Sequence, residues 1–175
     1  MSEQLALVAP THAALVDRAA RWLRTHHRCS TVFAEIVTAA GEKPDAIGWR
    51  YGFSRVVEVK VSRSDFFADR HKPHASAADR GMGGQRWYLV PPGLVAADEV
   101  PAWCGLAYAH AKRIEIVREA PERERWDARD EAVVLASALR RMELGARFDR
   151  GSGRWESYRD RQTRADRDRK SEVRP

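Results

Sequence analysis

Three features of the sequence predict an α/β fold with a central mixed β-sheet flanked by helices. An amphipathic segment opens the chain, three β-rich segments follow in close succession, and a short helix and a further strand come after them. The 175 residues, 43% of them hydrophobic, suffice for one domain with a real core but not for two.

The elements follow in chain order. Leu15, Ala19, Trp22 and Leu23 recur at helical spacing over residues 12–27, with Asp17, Arg18, Arg21 and Arg24 on the other face, and Thr11 is placed to cap the start. Residues 31–38 are rich in β-branched and aromatic side chains and predict a strand. Gly41-Glu42-Lys43 makes a turn, 45–49 a second strand, Tyr51-Gly52 a hairpin turn and 55–61 a third strand. Ser62 or Ser64 caps a short helix carrying Phe66 and Phe67. The polar stretch 70–85, with Gly81, Gly83 and Gly84, predicts a mobile loop. A fourth strand at 86–90 is stopped by Pro91-Pro92-Gly93, and shorter strands are expected at 105–109 and 113–117. A final helix over 130–147 puts Val133, Val134, Leu135, Leu139 and Met142 on its buried side. Beyond Phe148 the apolar pattern ends. Residues 1–148 are therefore expected to form the domain and 149–175 a charged, flexible tail, with a solvent-exposed helix as the alternative.

Composition narrows the partners. No apolar run approaches the roughly 20 residues of a membrane span, and residues 1–10 lack the basic and apolar segments of a secretion signal. Cys29 and Cys104 alone make no disulfide framework, so a cytoplasmic setting is expected. The net charge of +6 admits a polyanion as partner, although an Arg-rich composition alone would give the same sum.

The chemistry concentrates between Glu35 and Lys60. Alternation along a strand puts Glu58 and Lys60 on one face and Val59 on the other. Charged side chains on an otherwise buried strand are costly unless they pair, hold a metal or face a cleft. With Asp45 at the same height on the neighbouring strand, two carboxylates and the Val59 carbonyl suit a hard cation such as Mg²⁺. Lys60 is then placed to hold an attacking water or steady charge on a phosphate. The plainer alternatives are a cross-strand ion pair for Glu58 and Lys60, a turn role for Asp45, and a solvent-facing strand position for Glu35.

The pattern Glu35, Pro44-Asp45, Glu58-Val59-Lys60 resembles the PD-(D/E)XK nuclease superfamily. The following segment, Ser62-Arg63-Ser64-Asp65-Phe66-Phe67-Ala68-Asp69-Arg70-His71-Lys72, is similar to that of MmcB-like DNA repair proteins. Arg86-Trp87-Tyr88-Leu89-Val90-Pro91-Pro92, Gly105-Leu106 and Arg118-Glu119-Ala120-Pro121 fall in the same order as in that group, and the likeness covers residues 12–148. The stretch 73–84 is longer and richer in glycine than that group leads one to expect. The resemblance implies a restriction-endonuclease-like core, Asp45 and Glu58 as metal ligands, Lys60 as catalytic lysine and Glu35 as a further acidic contributor. The expected function is Mg²⁺- or Mn²⁺-dependent hydrolysis of phosphodiester bonds in DNA. Arg63, Arg70, Lys72, Arg80 and Arg86 are candidates for a phosphate-contacting rim, and Gln85 for a polar active-site position. A homodimer would supply two sites for two strands. A catalytically silent DNA-binding or interaction module is the alternative.

Overall fold

The sheet has six strands in the order of the chain: β1 (Thr31–Ala34), β2 (Ala46–Arg50), β3 (Phe53–Val59), β4 (Gln85–Val90), β5 (Cys104–Ala109) and β6 (Ile114–Arg118). Pairing is antiparallel from β1 to β3, parallel from β3 to β5, and antiparallel again at β6. The helices are α1 (His12–Thr25), α2 (Arg63–Asp69) and α3 (Ala128–Glu143); a hairpin of β7 (Arg147–Asp149) and β8 (Arg154–Glu156) follows. This computed structural model describes residues 10–69, 79 and 81–156. The architecture is the α/β one expected, a mixed central sheet flanked by helices. No helix among the described residues is long and apolar enough to cross a membrane.

Strand alternation gives the sheet two unlike faces. Val32, Ala46, Val57, Val59, Trp87, Leu89 and Ala107 point to one side and pack, buried, against Leu15, Val16, Ala19 and Leu23 of α1. Thr11 begins that helix by accepting the Ala14 amide, and Arg28, at φ 55°, turns the chain away just after it. The other face is split. Its β1–β3 half carries Phe33, Ile47, Trp49 and Val56 against Met82 and α3. Its β4–β5 half carries Tyr88, Val90 and Leu106 against Phe66 of α2. Between the halves runs a polar seam, in which the site lies.

The structure departs from sequence expectation in four places. First, β1 ends at Ala34 and not at residue 38, because Glu35 adopts φ 48°, a left-handed conformation that a strand cannot continue through. Second, the end of the expected mobile loop is core: Met82 is fully buried and Gly83 and Gly84 bind side chains through their amides. Gly83 is required there, since its φ is 92° and a Cβ would lie 2.8 Å from the Gln85 carbonyl. Residues 70–78 and 80 of that loop lie outside the described residues. Third, α3 docks through Glu131, Val134 and Ala138, leaving Leu139 and Met142 each 61% exposed; its contact stripe is narrower than the apolar pattern suggests. Fourth, the β7–β8 hairpin crosses the boundary expected at 148, because Trp155 packs on Phe148 and Phe33. Residues 157–175 of the expected tail lie outside the described residues.

One carboxylate fixes α3 to the sheet. Glu131 is 6% exposed and accepts hydrogen bonds from Trp49 Nε1 (3.0 Å), Ser54 Oγ (2.6 Å) and the Gly83 amide (2.9 Å). Glu131→Ala strands three buried donors, and we expect it to cost about 2–4 kcal/mol of stability. Urea denaturation reads this as a lower midpoint with unchanged slope; an unaltered midpoint would contradict the role given to Glu131.

Candidate active site

The site grows out of the C-terminal end of β3. Extending the β2–β3 register by one residue sets Asp45 opposite Glu58 at the end of the seam. Asp45 sits just before β2, and its carboxylate fills the place a backbone partner would take. It accepts the Val59 amide at 2.7 Å through one oxygen and lies 3.3 Å from His12 Nε2 through the other. The amide and carbonyl of one strand residue point the same way, so the Val59 carbonyl is directed toward Asp45 as well.

Glu58 is 5% exposed and faces Arg86, itself 3% exposed, across the β3–β4 seam at a long 3.4 Å. Arg86 is held more firmly elsewhere, by Glu42 at 2.6 Å and the Met82 carbonyl at 2.8 Å. Glu42, 3% exposed, also accepts the Met82 amide at 2.6 Å. Lys60 is 4% exposed, and its Nζ lies 3.1 Å from Asp69, the last residue of α2, and 4.0 Å from Asp65. Asp69 in turn accepts from the Tyr88 hydroxyl at 3.0 Å.

Carboxyls outnumber cations along the seam: Asp45, Glu42, Glu58 and Asp69 stand against Arg86 and Lys60, with Asp65 4.0 Å from Lys60 and His12 beside Asp45. Asp45 and Glu58 are the two whose carboxyls are raised. Burial raises the Asp45 carboxyl against the lowering pull of the Val59 amide, His12 and Lys60. Burial, with the Asp45 charge beside it, pushes the Glu58 carboxyl up to about 8 in spite of Arg86 and Lys60. Glu58 is therefore the least well matched charge of the group.

Such a donor set, two carboxyls and a carbonyl at one sheet end, fits a hard divalent cation completed by water. Among the described residues no three His, Cys, Asp or Glu side chains form a metal-holding group, so the protein ligands here number two carboxylates at most.

Other expected residues lie elsewhere. Glu35 does not join the site: its left-handed backbone turns the carboxylate to Arg154 at 2.6 Å. Arg86 is not part of a rim but the buried counter-ion of Glu42 and Glu58, because it emerges at the second residue of β4 under Met82. Gln85 points to the α1 face, accepting from Arg55 and donating to the Ala120 carbonyl. Arg63 is on the surface, matched by Glu99 at 2.5 Å. Arg70, Lys72 and Arg80 lie outside the described residues. Sequence reasoning missed His12, whose place beside Asp45 depends on how α1 crosses the sheet, and Glu42, which reads as a turn residue. Asp69 lies one helical turn from Asp65, a spacing legible in the sequence.

The fold and site together define an α/β protein with a buried carboxylate–lysine cluster at the end of a mixed sheet. No family model matches the chain, and no curated protein does. Among solved structures it is similar to SPO1766, a protein of unknown function from Silicibacter pomeroyi: 30% identity, covering 78% of this chain and 92% of that one, with a TM-score of 0.57. The chain belongs to the same family as that protein.

The raised Glu58 carboxyl has a consequence for stability. Folded protein keeps this proton above about pH 4.3, where an unfolded chain releases it, so the stability it contributes is full below that pH and declines as the pH rises toward 8. Glu58→Gln cannot ionise. Between about pH 5 and pH 8 the wild type is expected to lose stability relative to this variant. Denaturation midpoints that move in parallel would rule out the shift.

Proposed function

We propose that the protein is a metal-dependent nuclease that hydrolyses phosphodiester bonds in DNA, of the PD-(D/E)XK type and similar to MmcB-like DNA repair proteins. The observation that carries this reading is the meeting of Asp45, Glu58 and Lys60 at one sheet end, where carboxyls outnumber cations. Asp45, Glu58 and the Val59 carbonyl would hold Mg²⁺ or Mn²⁺, which when bound neutralises charge on the scissile phosphate and makes water more acidic.

The chain's own groups do the positioning. Asp69 holds the Lys60 Nζ in place, so the ammonium would donate to a phosphoryl oxygen or orient the attacking water. The Val59 amide fixes one Asp45 oxygen, and His12 neighbours the other. Arg86, anchored by Glu42, limits the swing of Glu58 without neutralising it fully. The two cysteines are buried and unpaired, which supports a cytoplasmic setting. A homodimer would bring one site to each strand of a duplex.

A second reading, a catalytically silent DNA-binding or interaction module, draws on the Lys60–Asp69 pair, since a lysine so tightly held also makes sense as a structural ion pair. Cleavage assays with Mg²⁺ and Mn²⁺ over single-stranded, duplex and branched DNA separate the two. Asp45→Ala and Lys60→Gln are each expected to lower cleavage by about 100-fold or more while the protein stays folded. Calorimetry should show divalent-cation binding that Asp45→Ala weakens. Full activity in both variants, or DNA binding in EDTA with no metal uptake and no cleavage, would sink the enzymatic proposal.

A further inference from the structure

A second feature lies on the opposite side of the sheet from the seam. Between α1 and the β5–β6 turn is an open groove of about 410 Å³, lined by Arg18, Arg21, Lys112 and Arg113, with Trp22 and His26 along one wall. Among the described residues no carboxylate lines it. Arg113 is matched by Glu115 at 3.0 Å, but neither Arg21 nor Lys112 has an acidic partner among the described residues. Arg18 donates to the Arg113 carbonyl at 2.9 Å, tying the helix to the turn and fixing the groove's width. Burial and the neighbouring Arg21 together lower the Arg18 guanidinium, so like charges are held together here. Such crowding is unfavourable in the free protein and is relieved by a bound anion.

The aromatic wall adds a second chemistry. Trp22 is 6% exposed and its ring is stacked with that of His26, centroids 5.6 Å apart and planes 19° from parallel. His26 is exposed, so a ring backed by buried tryptophan stands beside the cations. Cations that follow a backbone, with an aromatic surface for a base, are what single-stranded nucleic acid requires. Free phosphate needs only the cations, and a duplex keeps its bases stacked out of reach.

The location suits the proposed chemistry. β3 and β5 run parallel, so the β5–β6 turn lies at the same end of the sheet as Glu58 and Lys60. In α1, His12 neighbours Asp45, and Arg18 and Arg21 follow it by roughly 9–14 Å of helix rise. We propose that this groove binds a single strand of nucleic acid, its phosphates on Arg18, Arg21 and Lys112 and a base on the His26–Trp22 stack, and so holds the strand that flanks the site. The proposal rests on the nucleic-acid reading above, but not on cleavage.

The test is fluorescence anisotropy with a labelled single-stranded oligonucleotide and a duplex of the same sequence, on full-length protein carrying Asp45→Ala, in EDTA. Under these conditions binding is read whether or not the protein cleaves, so loss of the nuclease reading and loss of this one are separate results. Arg21→Glu with Lys112→Glu should weaken single-strand binding by at least about 10-fold and flatten its log–log salt dependence by about 1.4, two phosphates' worth. Arg129→Glu with Arg140→Glu, the same charge change on α3, should do markedly less. His26→Ala should weaken single-strand binding and leave duplex binding alone. Equal losses in the two charge-reversed variants, an inert His26→Ala, or displacement of the strand by inorganic phosphate at constant ionic strength would each overturn the proposal.

Discussion

Burial of charge in the seam between β3 and β4 is the constraint around which the split face is arranged. Arg86 emerges near the start of β4 where an apolar residue would otherwise pack, and removing it from water costs several kcal/mol unless its donors are matched. Glu42 and the Met82 carbonyl match them. To supply that carbonyl, the segment around Met82 has to descend onto the sheet, where its own amide binds Glu42. That descent places the Gly83 amide against Glu131 and gives α3 its anchor. On the other side of the seam, Lys60 requires Asp69, and Asp69 with Tyr88 fixes the end of α2. The two helices on this face are thus positioned by polar demands of β3 and β4 as much as by apolar contact.

The α1 face supplies the rigidity that such an arrangement needs. Val57 and Val59 alternate with Glu58 and Lys60 and are fully buried under α1, so the strand cannot rotate its charged side chains out to water. A site held within tenths of an ångström requires support of this kind. Asp45 is positioned differently, by the Val59 amide beyond the last pair of β2. Its place depends on a side-chain hydrogen bond at the frayed end of a ladder, which leaves one of its oxygens to a non-backbone partner.

This division explains what the sequence reveals. Strand and helix periodicity is local, and the sheet, α1 and the shared face of Glu58 and Lys60 are all legible from it. Thr11 and Ser62 act as caps, accepting the amides of Ala14 and Asp65. Partners are not local. Arg86 reads as a phosphate contact because its charge is visible and its burial is not; Glu42, 44 residues away in sequence, decides the matter. Glu35 reads as an extension of the motif, yet one positive φ removes it. The hairpin after Phe148 escapes notice because only Phe148 and Trp155 carry its packing, amid charges that dominate the composition.

Electrostatics then relates the two features of the molecule. A net charge of +6 draws a polyanion toward the protein as a whole, and the α1 groove concentrates that attraction. The seam differs, since its carboxyls outnumber its cations and Glu58 holds its proton up to about pH 8. A divalent cation bound there would displace that proton and leave both carboxylates ionised. On the nuclease reading, the divalent cation would also offset the charge that ionised Asp45 and Glu58 turn toward the scissile phosphate. Lys60 cannot meet that need, because Asp69 already balances it. On the two proposals, binding of the strand and binding of the metal belong to different surfaces, the groove taking nucleic acid without metal and the seam with it.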